Sequence, residues 1–128
     1  MKSKSILVVD DEELVQAMLE EALSDLGYKV FLADNGKEAL KTLESEKIQV
    51  MMFDLKMPGM NGVELCMEVK KLYPATVIYA MSGFHSLFEL VDCLSAGFED
   101  YFPKPFDFAL IIQEIQHAFD KLERWKRI

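Results

Sequence analysis

Val50-Met51-Met52-Phe53-Asp54-Leu55-Lys56-Met57-Pro58-Gly59-Met60-Asn61-Gly62 is the stretch that decides the architecture. Val50 to Phe53 form an unbroken apolar run. A strand covered on both faces needs such a run, because every side chain meets a packed layer. The run halts at a carboxylate, Asp54, and the turn pairs Pro58-Gly59 and Asn61-Gly62 follow at once. Open α/β sheets place their chemistry at the carboxyl ends of the strands. Asp54 stands at such an end.

Working outward, the same grammar repeats. Upstream, Ser5–Val9 is a β-branched run that ends in Asp10-Asp11-Glu12-Glu13. Leu14, Val15, Met18, Leu19, Ala22, Leu23 and Leu26 then recur at helical spacing, and Gly27 closes that helix. Residues 28–33 read as a second strand. Asn35, with Glu38 three residues on, predicts a cap and capping-box acid for a helix through Ala39, Leu40 and Leu43 that ends near Lys47. The third strand is Val50–Asp54, with Ile48 as its earliest start. Val63, Leu65, Cys66, Val69 and Leu72 predict a third helix, ended by Pro74. Residues 76–81 make a fourth strand that stops at Ser82-Gly83. A helix over 87–94, closed by Gly97, precedes a short fifth strand over 98–102. Pro103-Lys104-Pro105 breaks the chain, and Asp107 can cap a last helix through Ile111, Ile115, Ala118 and Leu122. Its cations Lys121, Arg124, Lys126 and Arg127 suit the C-terminal end of the helix dipole. Five strand–helix alternations call for a parallel sheet with helices on both faces. No linker composition or repeat divides residues 1–128, which read as one domain.

Composition bounds the function. A chain of 128 residues suits a single core. The net charge of −8 argues against direct nucleic-acid binding, which needs a basic face. No apolar run is long enough for membrane insertion, and Met1-Lys2-Ser3-Lys4 leads straight into a strand rather than a signal peptide. Cys66 and Cys93 lie in helical patterns far from metal-type spacing. They read as buried small apolar residues in a reducing cytoplasm. His85 and His117 have no second ligand at metal spacing. The methionines read as core and loop filler.

Four polar features fall just after apolar strands: Asp10-Asp11, Asp54, Ser82 and Lys104. In a parallel sheet these ends share one edge, so residues distant in sequence meet. Three crowded carboxylates repel one another and are poised for a cation. All-oxygen ligation suits Mg²⁺, with Mn²⁺ as a substitute. A metal there neutralises charge on an incoming phosphoryl group. Lys104 adds a second positive charge, and the Ser82 hydroxyl can donate to a phosphoryl oxygen. Asp54 is then the nucleophile and an aspartyl phosphate the product. Taken alone, Asp10-Asp11 reads equally well as acids at a helix N-terminus, the role that fits Glu12 and Glu13. Ser82-Gly83 alone is a bare turn.

These residues, in this order, resemble the receiver domain of two-component response regulators. The matching motifs are Val8-Val9-Asp10-Asp11-Glu12, Asp54 with Met57-Pro58-Gly59-Met60-Asn61-Gly62, Ser82-Gly83 and Lys104-Pro105-Phe106, and they span essentially the whole chain. Each is weak alone; in order, each at a strand end, they are specific. The resemblance implies a flavodoxin-like (βα)5 fold with strand order 2-1-3-4-5. It implies that Asp10, Asp11 and Asp54 hold Mg²⁺ with the backbone carbonyl of Lys56, and that Asp54 is the phosphoacceptor. Ser82 and Lys104 would contact the phosphoryl group, the Lys104–Pro105 peptide would be cis, and Tyr101 would be an aromatic switch. The donor would be a sensor histidine kinase or a histidine phosphotransfer protein. A downstream effector would read the face of the fourth helix, fifth strand and fifth helix, in a monomer or a phosphorylation-dependent dimer. Lys56 and Phe84, two residues after Asp54 and Ser82, stand where water access to the phosphate is tuned.

Other functions fit less well. A flavin carrier needs a hydroxyl- and glycine-rich phosphate loop where this chain has four acids. The dinucleotide fingerprint is absent after the first strand. A phosphatase with an aspartate nucleophile would place D-x-D after the first strand, where Glu12 stands instead. A receiver fold used only for binding would have no need of the full set of site residues.

Overall fold

The strands alternate their side chains between two helix layers, and that alternation organises the molecule. A computed structural model describes residues 4–83 and 87–126, with the backbone alone at 87–90. The elements are β1 (Ser5–Val9), α1 (Glu13–Ser24), β2 (Lys29–Ala33), α2 (Gly36–Ser45), β3 (Val50–Asp54), α3 (Gly62–Leu72), β4 (Val77–Ser82), α4 (Leu87–Ala96), β5 (Asp100–Pro103) and α5 (Phe108–Lys126). All pairings are parallel and the sheet order is β2-β1-β3-β4-β5. This is the order expected from the resemblance.

β3 and β4 are buried at every position, as their unbroken apolar runs require. Leu7, Val9, Met51, Phe53 and Ile78 point into one layer with residues of α2, α3 and α4. Ile6, Val8, Met52, Tyr79 and Met81 point into the other, against Leu19 and Leu23 of α1 and Ile111 and Ile115 of α5. The buried Tyr79 hydroxyl is satisfied by donating to the Glu114 carbonyl at 3.1 Å, which ties β4 to α5. Cys66 and Cys93 are buried thiols, and burial pushes the Cys66 thiol up to about 12, so it behaves as an apolar filler. Met51, Met52 and Met57 are core residues, whereas Met67 is exposed on α3.

The two strands with an aromatic at their expected start begin later than the sequence predicts. Tyr28 and Phe98 each follow a helix-closing glycine, Gly27 or Gly97, with φ of +91° and +103°. The Tyr28 amide donates to Leu23 and the Phe98 amide to Cys93, while the glycine amides reach Ser24 and Leu94. This is the paired closure of a Schellman turn, whose second residue is characteristically apolar. The helix cap takes Tyr28 and Phe98, so the ladders start at Lys29 and Asp100. Likewise Asn61-Gly62, legible as a turn, is the start of α3. Asn61 accepts from the Glu64 amide and Glu64 returns the bond to the Asn61 amide, a full capping box. In α2, Asn35 caps as expected, but the Glu38 carboxylate accepts from Asp34 at 3.1 Å rather than from Asn35. Asp107 caps α5 by accepting from the Leu110 amide at 3.2 Å.

Candidate functional site

Strand parity brings the acids together. Side chains along a strand repeat every second residue, so Asp10 continues the face of Ile6 and Val8, and Asp54 that of Val50 and Met52. Val8 pairs with Met52 and Val9 with Phe53, so the next step in that register sets Asp10 beside Asp54. On the other side Asp54 pairs with Met81, and Ser82 with Pro103. Backbone bonds continue past the strand ends: Asp10 to the Ala33 carbonyl at 3.1 Å, Leu55 to Met81 at 3.0 Å, Lys104 to Ser82 at 2.9 Å. The loops carrying the polar residues are thereby extensions of the ladder.

Lys104 is the common partner. Its Nζ lies 3.0 Å from Asp10 Oδ2, 3.4 Å from Glu12 Oε1 and 3.7 Å from Asp54 Oδ1. The Lys104–Pro105 peptide is cis, as the resemblance implied. Asp10 is fully buried, and Asp54 and Ser82 nearly so. The Asp54 carboxyl is pushed up to about 6, chiefly by burial and then by the Asp10 charge, with Lys104 and the Lys56 amide pulling the other way. Burial likewise raises Asp10, against the Glu12 amide and Lys104. Burial alone would depress the Lys104 ammonium, but its hydrogen bond to Asp10 and the charges of Asp54, Asp10 and Glu12 outweigh that and raise it.

Carboxylate oxygens of Asp10, Glu12 and Asp54 lie within 4.8 Å of one another. An all-oxygen cluster in which burial, with a smaller contribution from neighbouring charge, raises the Asp10 and Asp54 carboxyls fits a hard divalent cation. Asp11, expected among the ligands, is exposed, and its carboxylate is outside that cluster; its charge is still felt at Asp54. Glu12, also exposed, is the acid whose carboxylate reaches Lys104 and the cluster. The sequence assigned Glu12 to the helix dipole, and as N-cap of α1 it makes no side-chain cap bond. Its contact with Lys104 spans 92 positions of the chain, and no local spacing signals it. Tyr101 is half-buried and its hydroxyl donates to the Ser82 carbonyl at 3.3 Å, which joins the expected switch residue to the expected phosphoryl contact. Phe84 and His85 lie outside the described residues. His117 is exposed on α5.

The family model of the response regulator receiver domain matches residues 6–116, and the chain belongs to that family. The chain is 39% identical over 101 residues to the response regulator MprA of Mycolicibacterium vanbaalenii, covering 79% of this chain and 44% of that protein. It is 34% identical over 121 residues to the DNA-binding transcriptional regulator NtrC of Escherichia coli, covering 91% of this chain and 26% of that one. The chain thus spans less than half the length of these curated relatives. A receiver domain protein from Methanospirillum hungatei superposes with a TM-score of 0.91 at 32% identity, covering 96% of this chain and 98% of its own. The protein is therefore a receiver domain of two-component signalling, a class of signalling switches. Among the described residues no helix is long and apolar enough to cross a membrane.

Proposed function

We propose that residues 1–128 form one receiver domain in which Asp54 accepts a phosphoryl group from a phosphohistidine, on a sensor kinase or a phosphotransfer protein. The observation that carries this reading is the buried Asp54 carboxylate, 3.7 Å from the Lys104 ammonium at the sheet edge. A carboxylate oxygen of Asp54 attacks phosphorus, the P–N bond breaks, and the imidazole leaves with the bond electrons. Lys104 follows the developing charge onto the phosphoryl oxygens, and the Ser82 hydroxyl donates to one of them. Asp10, Asp11, Asp54 and the Lys56 carbonyl would hold Mg²⁺, or Mn²⁺ in its place, with Glu12 close enough to compete for a position. The ion supplies charge neutralisation at the phosphoryl oxygens. The domain performs this transfer on itself, and its own dephosphorylation, rather than turning over a separate substrate.

Phosphorylation draws Ser82 toward the new oxygens, and its carbonyl bond from Tyr101 passes that movement into β5. The output face of α4, β5 and α5 then shifts between two populations. An effector reads that face, in a cytoplasmic monomer or a dimer formed on phosphorylation, without nucleic-acid contact by this domain. The test is intact mass after incubation with phosphoramidate or acetyl phosphate. The expected result is one phosphate on wild type with Mg²⁺, and none on Asp54→Asn or in chelator. No adduct on folded wild type would leave a binding module in place of a switch.

A further inference from the structure

Gln16 is a buried polar residue of α1 with no part in the chemistry proposed above, and the two hydrogens of its amide nitrogen meet three acceptors, one hydrogen being shared. Its Nε2 donates to the Asp10 carbonyl at 2.6 Å, the Asp34 carboxylate at 2.7 Å and the Ala33 carbonyl at 3.3 Å. All three neighbours accept only, so the NH₂ end must face them. The backbone amide of the same residue donates to the Glu12 carbonyl at 3.2 Å. Asp10, Asp11 and Glu12 are therefore strung between two bonds of a single residue. Within that span the Glu12 amide donates to the Asp10 carboxylate at 2.9 Å, so the main-chain path of the loop sets where that carboxylate points.

We infer that Gln16 is a positioning residue for the cation site: its side-chain amide, clamped between the ends of β1 and β2, fixes the Asp10–Glu12 loop in the geometry that binds Mg²⁺. The inference rests on the proposed function, since it concerns the same site. A buried donor bridging three acceptors holds a loop more narrowly than packing does, because any displacement of the Asp10 peptide leaves a carbonyl unpaired away from water. Partners that orient a metal ligand from behind typically change affinity by about 10- to 100-fold when lost. Asp34 is the outer anchor, and it continues to α2 through the bond from its amide to Glu38 at 3.1 Å.

The test is calorimetric titration with MgCl2 of the whole chain, with unfolding followed in chelator alongside. Gln16→Met keeps the shape and removes the donors, and should weaken Mg²⁺ by about 10-fold. Gln16→Arg presents donors to the same acceptors, with Asp34 to balance its charge, and should recover most of the affinity. Leu23→Ala destabilises the far end of α1 and should leave the affinity unchanged, which separates positioning from general loss of stability. Wild-type affinity in Gln16→Met would overturn the inference and leave the proposed function standing. Absence of binding by folded wild type would overturn the proposed function itself, and the inference with it. If Gln16→Met does not fold, the exposed anchor decides. Asp34→Ala and Asp34→Asn both remove the charge, but only the amide keeps an acceptor. Weaker Mg²⁺ binding by Asp34→Ala than by Asp34→Asn supports the clamp, and equal binding overturns it.

Discussion

Asp54 carries a negative charge into a place that resists it, and the cost is readable as a pH dependence. Its folded carboxyl titrates near 6, above its ordinary value of 3.8, chiefly through burial. The folded state therefore holds a proton that the unfolded state has released between those values. The stability this contributes is complete below about pH 4 and is lost as pH rises through 6. In chelator, Asp54→Asn should flatten the fall in unfolding free energy between pH 4.5 and 6.5. At pH 7.5 it should be the more stable protein by about 3 kcal/mol, since a tenfold change in proton affinity is worth about 1.4 kcal/mol. Urea unfolding of the two proteins across that range checks both, and parallel curves would sink the account. The same substitution abolishes phosphorylation under the proposed function, so stability and signalling move in opposite directions at this residue.

The elements meet this residue through their ends. α3 starts directly over the backbone of Asp54. A Cβ on Gly62 would collide with the Asp54 carbonyl oxygen and stand 2.9 Å from Leu55 Cα. Those are main-chain atoms of a buried strand end, which cannot swing aside. Gly62→Ala should cost about 2 kcal/mol or more and shift Asp54 enough to slow phosphorylation by phosphoramidate, both measurable on purified protein. Asn61 next to it does a different job. Asn61→Ala removes a cap from α3 and should cost about 1 kcal/mol in urea unfolding. The phosphorylation rate should stay near wild type, because the Gly62 amide still holds the Leu55 carbonyl at 3.2 Å. A large rate loss in Asn61→Ala with a small stability loss would mean that the cap, and not the glycine, sets the acceptor.

At the scale of the whole molecule, a cation bound at the acidic edge under the proposed function would be a folding partner. The unfolded chain has no equivalent cluster, because Asp10 and Asp54 are brought side by side by the β1–β3 pairing. MgCl2 at 100 times its dissociation constant should stabilise the protein by about 2.7 kcal/mol. The gain should shrink at pH 5, where protons compete for the carboxylates. Thermal unfolding at pH 5 and pH 8, with Mg²⁺ and with chelator, measures both, and equal gains at the two pH values would count against carboxylate ligation.

The strands and the polar residues at their ends were legible in the sequence for one reason. A strand covered on both faces must be apolar throughout, so a carboxylate at its end stands out, as at Asp10 and Asp54, while Lys104 is marked by the prolines on either side of it. Parallel order then requires those ends to share an edge. The starts of β2 and β5 were not legible, because Tyr28 and Phe98 are as apolar as strand residues and only the Schellman hydrogen bonds assign them to helix caps. Glu12 and Gln16 were hidden for a stronger reason. Glu12 looks like any acid at a helix start and Gln16 like any polar helix residue. Their partners Lys104 and Asp34 come from other strand ends, and the contact exists only after the sheet has set β2 and β3 on either side of β1. The sequence by itself determined which strands are buried, within a residue where each stops, and which polar residues gather at the edge, since these follow from local polarity. Only the tertiary structure decided which acid reaches Lys104 and what holds the loop, because those are hydrogen bonds between segments that the chain keeps far apart.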